Sequence, residues 1–334
     1  MTIEHADMGS DWHQLGLDSR DSATDRYSMI EPAIKFDDVS KSFGDTLAVD
    51  ALTLTIPRGS VTVFLGPNGA GKTTTVRLTT GALVPDTGEI TVLGLSSIAD
   101  GHEVRKICGV VPPKPAFFDQ LSGIDNLKYA AEIAKAPRRA IAPAAERFGI
   151  TDALHRRVDG YSTGMRTRLA LARAVLHDPE ILLLDEPTAG LDPESSRAVL
   201  GLIREMAGKG QTIVMCTHLL HEAEGIADVV VLMGSGQARA VGNPHDLMAS
   251  YASEKCVAID AVDRSMLAIL ANMPGVLTVN GDGPVKVTVE DMGIVPDLVK
   301  TLVEKGVDIT RVEPHTPTLE YLYFEMQSAL GDQL

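Results

Sequence analysis

The octet Gly66-Pro67-Asn68-Gly69-Ala70-Gly71-Lys72-Thr73 constrains the fold of this chain more than any other stretch. It has the spacing G-x-x-x-x-G-K-[ST], and it lies between a short aliphatic run, Ser60–Leu65, and a segment that reads as a helix. That context predicts a strand, a tight loop and a helix in succession. Glycines let consecutive backbone N–H groups curl inward around phosphate oxygens, and the helix directs its positive end at them. In this arrangement Lys72 reaches the outer phosphates and the Thr73 hydroxyl can ligate Mg²⁺.

Two further runs share the aliphatic texture. Ile181–Leu184 ends in Asp185, and Thr212–Thr217 ends before His218. Short, nearly all-apolar runs are what parallel strands covered on both faces require. From Ala33 to about Ser250 such strands alternate with helices, so the expected class is α/β. Asp185 then falls at a strand's carboxyl end, where ligands sit in an open α/β sheet, and can hold Mg²⁺ through water. Glu186, one residue on, can take a proton from an attacking water. Adjacent acids can also merely end a strand in solvent, but these stand beside a phosphate loop.

Composition excludes several classes. The chain has 334 residues, 44% apolar and 4% aromatic, as in a globular protein packed with aliphatic side chains. No run approaches the roughly 18–20 apolar residues that span a bilayer, and residues 1–30 contain no apolar core of a secretory signal. Cys108, Cys216 and Cys256 are far apart without metal spacing and read as reduced cytosolic thiols. A net charge of −15 argues against nucleic acid as a partner, and against unaided adhesion to an anionic membrane. A membrane role would need another protein to hold the chain there.

The organisation falls into three parts. Residues 1–32 are acidic and aperiodic and read as a disordered tail, to which no function is assigned. Residues 33–250 form the α/β domain, with a more helical section at about 115–178 broken by Pro137 and Pro143. Residues 251–334 run β-α-β-β-α-β: strand Lys255–Val262, helix Arg264–Asn272, strands Val276–Val279 and Val285–Val289 around Asn280-Gly281-Asp282-Gly283, helix Val295–Lys305, and strand Val307–Val312. This is a small α+β, ferredoxin-like pattern. A last amphipathic segment, Thr318–Leu330, places Leu319, Leu322, Tyr323 and Met326 on one face.

Tyr161-Ser162-Thr163-Gly164-Met165 precedes an apolar-periodic helix carrying Leu169, Ala172 and Leu176. The helix N-terminus and the Ser162 hydroxyl together make an anion site; the plainer reading is a helix cap.

In order along the chain, the phosphate loop, Tyr161–Met165, Ile181–Pro187, Gly190-Leu191-Asp192 and Thr217-His218 resemble the P-loop ATPase domain of ABC transporters, most closely that of ABC-2-type exporters. The resemblance covers about Ile34–Ser250. Pro317-Thr318-Leu319-Glu320-Tyr321-Leu322 is similar to the ending of accessory domains in that branch. The resemblance implies ATP and Mg²⁺ as ligands. Asn68 to Lys72 would supply backbone donors, Lys72, Thr73 and Thr74 would bind phosphates and metal, and Asp185 would support the metal. Glu186 would polarise the attacking water, His218 would sense the γ-phosphate, and Phe43 would stack on adenine. Ser162 and Gly164 would complete the ATP pocket of an opposite protomer, with Asp192 in the loop between protomers. The implied partners are a second copy or a paralogous ATPase and a polytopic membrane permease, at the cytoplasmic face of the cell membrane.

Three positions depart from the family pattern. Thr163 replaces a glycine and Met165 a glutamine without removing the helix-terminus donors. The position of the metal-contacting glutamine falls on Pro113, which has no side-chain oxygen; Gln120 lies seven residues further on. Two other readings stay open: a soluble ABC protein outside transport, and a weakly active, nucleotide-dependent regulator. For residues 251–334, regulation or dimer support stands beside passive packing.

Overall fold

Apolar residues alternate with polar ones through Ile34–Asp37 and Leu52–Ile56, the period-2 pattern of strands buried on one face. In the computed structural model, which describes residues 31–251, 255–281, 284–314, 318–320 and 322–323, these stretches form antiparallel strands β1 (Pro32–Phe43) and β2 (Thr46–Pro57). With β4 (Thr87–Val92) and β5 (Leu95–Ser96) they make a sheet of order β2-β1-β4-β5. The sequence pointed to alternating strands and helices here; the antiparallel sheet is an addition. It buries Ile34, Phe36, Leu52, Leu54 and Ile56.

The continuous apolar runs form the second sheet. Its members are β3 (Val61–Leu65), β6 (Cys108–Val111), β7 (Ile181–Asp185), β8 (Thr212–Thr217), β9 (Val229–Gly234) and β10 (Gln237–Gly242). The order is β10-β9-β3-β8-β7-β6, parallel throughout except for the β9–β10 pair. Every residue of β3, β7 and β8 is buried, so neither sheet face is left to water. Leu182, Leu183 and Leu184 are fully buried, each contributing about 1.5–3 kcal/mol of hydrophobic stabilisation. Leu65 stands opposite Thr217 and Asp185 opposite Cys216, so β3, β8 and β7 end side by side. Three loops therefore leave the sheet at one place.

Helices follow where caps permit. α1 (Lys72–Thr79) leaves the phosphate loop, and α2 (Gly101–Ile107) precedes β6. Between β6 and β7 come α3 (Gly123–Ile133), α4 (Ile141–Arg147) and α5 (Thr163–Ala174). Pro143 does not break α4: it is the third residue, where a missing N–H goes unused. Pro137 instead precedes a short 3₁₀ turn, Arg138–Ala140. α6 (Pro193–Gly208) and α7 (Leu220–Ile226) follow β7 and β8, and α8 (Pro244–Tyr251) follows β10. No helix among the described residues is long and apolar enough to cross a membrane.

The chain divides into two compact units, Met1–Pro244 and His245–Leu334. The second has β11 (Lys255–Ala261), β12 (Val276–Asn280), β13 (Val285–Val289), α9 (Val295–Glu304) and β14 (Ile309–Pro314). Its sheet runs β12-β13-β11-β14, all antiparallel, the strand order of a ferredoxin-like fold. Arg264–Asn272, expected as an α-helix, is a 3₁₀ helix. Its two buried side chains, Leu267 and Leu270, are three apart, the repeat of the tighter helix. They join Val257, Ile259, Val287, Leu298 and Leu302 in one core. Residues 1–30, positions 282–283 and most of 317–330, including parts of the C-terminal motif, lie outside the described residues; Leu319 and Leu322 are buried.

Candidate active site

The phosphate loop is held open by two glycines with no room for a side chain. A Cβ on Gly66 would lie 2.4 Å from the Met233 carbonyl oxygen. One on Gly71, at φ 101°, would lie 2.4 Å from the Ala48 carbonyl oxygen. Pro67, Asn68, Gly69 and Ala70 form the turn between them, closed by Ala70 N–H donating to Pro67 O at 3.3 Å. Lys72 is buried, with Nζ donating to Gly66 O at 2.6 Å and Pro67 O at 3.0 Å. Its ammonium is thus held against the loop that its own helix follows. Thr73 and Thr74 occupy the first turn of α1, half-buried.

Asp185, the last residue of β7, is 2% exposed, and the Thr73 hydroxyl is near enough to favour its charged form. Its Oδ1 is buried without a hydrogen-bond partner. Burial lifts the Asp185 carboxyl above the usual carboxylate value, with the Thr73 hydroxyl opposing and the nearby Glu186 charge adding to the rise. A buried carboxylate oxygen with no partner, near a threonine hydroxyl, is an oxygen donor set suited to a hard divalent cation.

Glu186 takes φ 53°, a left-handed conformation costing about 1–3 kcal/mol for a non-glycine residue. Its N–H donates to Cys216 O at 2.9 Å, fastening it to the end of β8. His218 Nδ1 lies 3.0 Å and 2.9 Å from the Glu186 carboxylate oxygens. A carboxylate only accepts, so the ring proton sits on Nδ1 in this pair.

Ser162 and Gly164 lie on another element. Ser162 caps α5, its Oγ accepting from Met165 N–H at 3.3 Å, and Gly164 packs near Leu191 and Ser195. Asp192 caps α6, accepting from the N–H groups of Glu194 and Ser195 and from the Ser195 hydroxyl at 2.6 Å. The Ser195 hydroxyl holds the Asp192 carboxyl below its ordinary value. Pro113, Lys114, Thr163, Arg166, Glu186 and Ala189 all line one open cleft of about 300 Å³. Phe117, just beyond, has two guanidinium groups over its ring, Arg166 at 5.5 Å and Arg173 at 4.7 Å from the ring centre. Arg173 also donates to Ala116 O at 2.7 Å. The Pro113 segment is therefore clamped to α5.

The structure brings Gly66–Thr74, Asp185, Glu186 and His218 to the adjacent ends of β3, β7 and β8. It does not join Ser162 or Gly164 to them by any hydrogen bond among the described residues. Phe43, at the end of β1, is 49% exposed with Lys41 Nζ 5.8 Å from its ring centre. Sequence reasoning missed Thr188, Glu222, Phe117 and Arg173. For Glu222 a signal existed: an acid four residues after His218 falls on the first turn of a short helix, alongside the strand end.

Residues 49–189 match the family model described as ABC transporter. The chain is 35% identical over 308 residues to the daunorubicin resistance ATP-binding protein DrrA3 of Streptomyces coeruleorubidus, across 89% of this chain and 96% of that protein. It is 37% identical over 224 residues to the Nod factor export ATP-binding protein I of Rhizobium etli, across 66% of this chain and 71% of that protein. Among solved structures it resembles cbiO1 from Clostridium perfringens, part of the ABC transporter complex cbiONQ. The TM-score is 0.60 with 30% identity, covering 66% of this chain and 91% of that one.

Proposed function

The chain belongs to the ABC transporter family of ATP-binding proteins, and on that premise we propose how its residues divide the work. It is the ATP-binding and ATP-hydrolysing subunit of an ABC-type export system. One observation supports the division most: the phosphate loop, Asp185, Glu186 and His218 stand at the flush ends of three neighbouring strands.

ATP lies with its phosphates in the Gly66–Lys72 loop, bound by backbone donors, the Lys72 ammonium and the Thr74 hydroxyl, and Phe43 stacks on the adenine. Thr73 and Asp185 would hold Mg²⁺, which when bound offsets phosphate charge and polarises the transferred phosphoryl group. Glu186 orients the attacking water and accepts its proton. His218 fixes the Glu186 carboxylate through Nδ1 and turns Nε2 toward the γ-phosphate.

A second copy, or a paralogous ATPase, completes each pocket. Its Ser162 hydroxyl and the N-terminus of its α5 meet the γ-phosphate held by the first chain's Lys72. The capping bond uses Ser162 Oγ as an acceptor only, so its O–H proton can still be donated. The pair sits at the cytoplasmic face of the membrane, held there by a separate polytopic permease that its closure drives.

The test is Glu186→Gln in the full chain with Mg-ATP. Phosphate release should fall by about 100-fold or more, and an ATP-dependent dimer should accumulate in light scattering. Undiminished turnover would remove Glu186 from the role of base.

A further inference from the structure

Glu222 stands outside the division of roles above, yet it is 2% exposed and lies between two of the loops that carry them. Its Oε2 accepts from the Thr188 hydroxyl at 2.8 Å and from the Thr217 hydroxyl at 3.2 Å. Thr188 is 2% exposed and Thr217 fully buried. Thr217 Oγ1 in turn accepts from Leu219 N–H at 3.0 Å. Among the described residues no lysine, arginine or histidine pairs with Glu222, so its buried carboxylate is balanced by hydroxyls alone.

The placement of these threonines gives the arrangement its meaning. Thr188 follows Glu186 by two residues and Thr217 directly precedes His218. A single oxygen therefore ties the turn after β7 to the last residue of β8, next in sequence to the Glu186–His218 pair. Glu186 needs such support, because its left-handed backbone persists only where its surroundings over-determine it. The Glu186 N–H bond to Cys216 O ties it to β8, and Ala189 N–H donating to Glu186 O at 3.2 Å closes the turn. The Thr188–Glu222–Thr217 bridge adds a second tie between the same turn and the end of β8.

We infer that Glu222 is a positioning residue for hydrolysis: its Oε2, accepting from Thr188 and Thr217, holds Glu186 and His218 at the separation the reaction needs. It acts as an acceptor of hydrogen bonds, not as a charge felt by ATP and not as filling. This rests on the assignment of Glu186 as base.

Three substitutions in the full chain separate those roles. Glu222→Gln keeps an oxygen able to accept from both hydroxyls; Glu222→Met keeps the volume without an acceptor; Thr188→Val removes one donor with little change of shape. Steady-state Mg-ATP turnover is measured on folded protein, verified by circular dichroism. Glu222→Met and Thr188→Val should each lower kcat by about tenfold or more with KM for ATP within about twofold. Glu222→Gln should stay within about threefold of the parent, and Thr188→Val should add no further loss to Glu222→Met. Full activity in Glu222→Met would make the site one of packing and overturn the inference. A Glu222→Gln chain as slow as Glu222→Met would mean that the charge itself acts, and would overturn it too. Should Glu222→Met not fold, Thr188→Val decides alone: unchanged kcat overturns the inference. Glu186→Gln run alongside separates the levels: if it stays active, the assignment of the base has failed. If it is inactive while Glu222→Met and Thr188→Val are normal, only the positioning role has failed.

Discussion

His218 Nδ1 stands 2.9 Å from Glu186 Oε2, and the two residues come from loops after adjacent strands. A carboxylate in a strained left-handed turn is thereby oriented by a ring that the neighbouring strand delivers. His218→Ala removes that contact while leaving the phosphate loop untouched. We expect kcat to fall by about 100-fold, with ATP affinity measured by fluorescent nucleotide displacement within about threefold of the parent.

Asp185 is a site where function opposes stability. Its carboxyl is raised by burial, so the folded chain holds that proton more tightly than the unfolded chain does. Stability therefore falls as pH rises through the interval between the unfolded and folded values, and the full penalty is present above the folded one. Asp185→Asn removes the charge. Without nucleotide and magnesium, the variant should melt about 2–4 °C higher at neutral pH, the shift about 1 kcal/mol brings in a domain of this size. The gain should shrink on acidification, and hydrolysis should be lost. A lower melting temperature at neutral pH would contradict the sign.

Pro113 lines the same cleft as Glu186 but has no side-chain oxygen to offer it. The contacts of Arg166 and Arg173 with the Phe117 ring, and of Arg173 with Ala116 O, hold the segment to α5, so a new side chain at 113 would meet the cleft in a defined place. Pro113→Gln should raise turnover roughly fivefold, the effect of one added hydrogen bond of about 1 kcal/mol. Titration of the rate with Mg²⁺ checks it, half-saturation falling together with the rise in rate.

The thiols make a simple test of packing. Burial pushes Cys108 up to about 12 and Cys216 well above the ordinary thiol value, whereas Cys256 is half-buried on a different unit. Thiolate is the reactive form, so at pH 8 a disulfide reagent should modify at most one cysteine per folded chain and all three after denaturation. Rapid modification of two or more would show that β6 or β8 is not packed as described.

The phosphate loop, Asp185, Glu186 and His218 were legible because backbone geometry dictates their spacing: each follows a continuous apolar run at a strand end. The antiparallel sheet of β1, β2, β4 and β5 was less so, since alternation over a few residues, interrupted by bulges, is a weaker signal than a continuous apolar run. Arg264–Asn272 misled because a spacing of three serves α and 3₁₀ helices alike when only two side chains are buried. Phe117 and Arg173 stand far apart in sequence and meet only once α5 packs beside the segment after β6. Glu222 was visible as a letter but not as a partner, because two threonines give no sign of which acid they will face.

Gly66 and Gly71 are confined by carbonyl oxygens, those of Met233 and Ala48, and every amino acid carries that atom. The two glycines therefore depend on neighbours whose own identity does not matter to them. In a saturation library scored for ATP binding, positions 66 and 71 should tolerate no other residue, while 48 and 233 accept many as far as this contact is concerned. Statistics of paired substitutions would find no link across either contact, since one side never varies and the other varies without effect. Here an indispensable contact leaves no trace of partnership in the sequence record, and only the coordinates reveal who sets the limit.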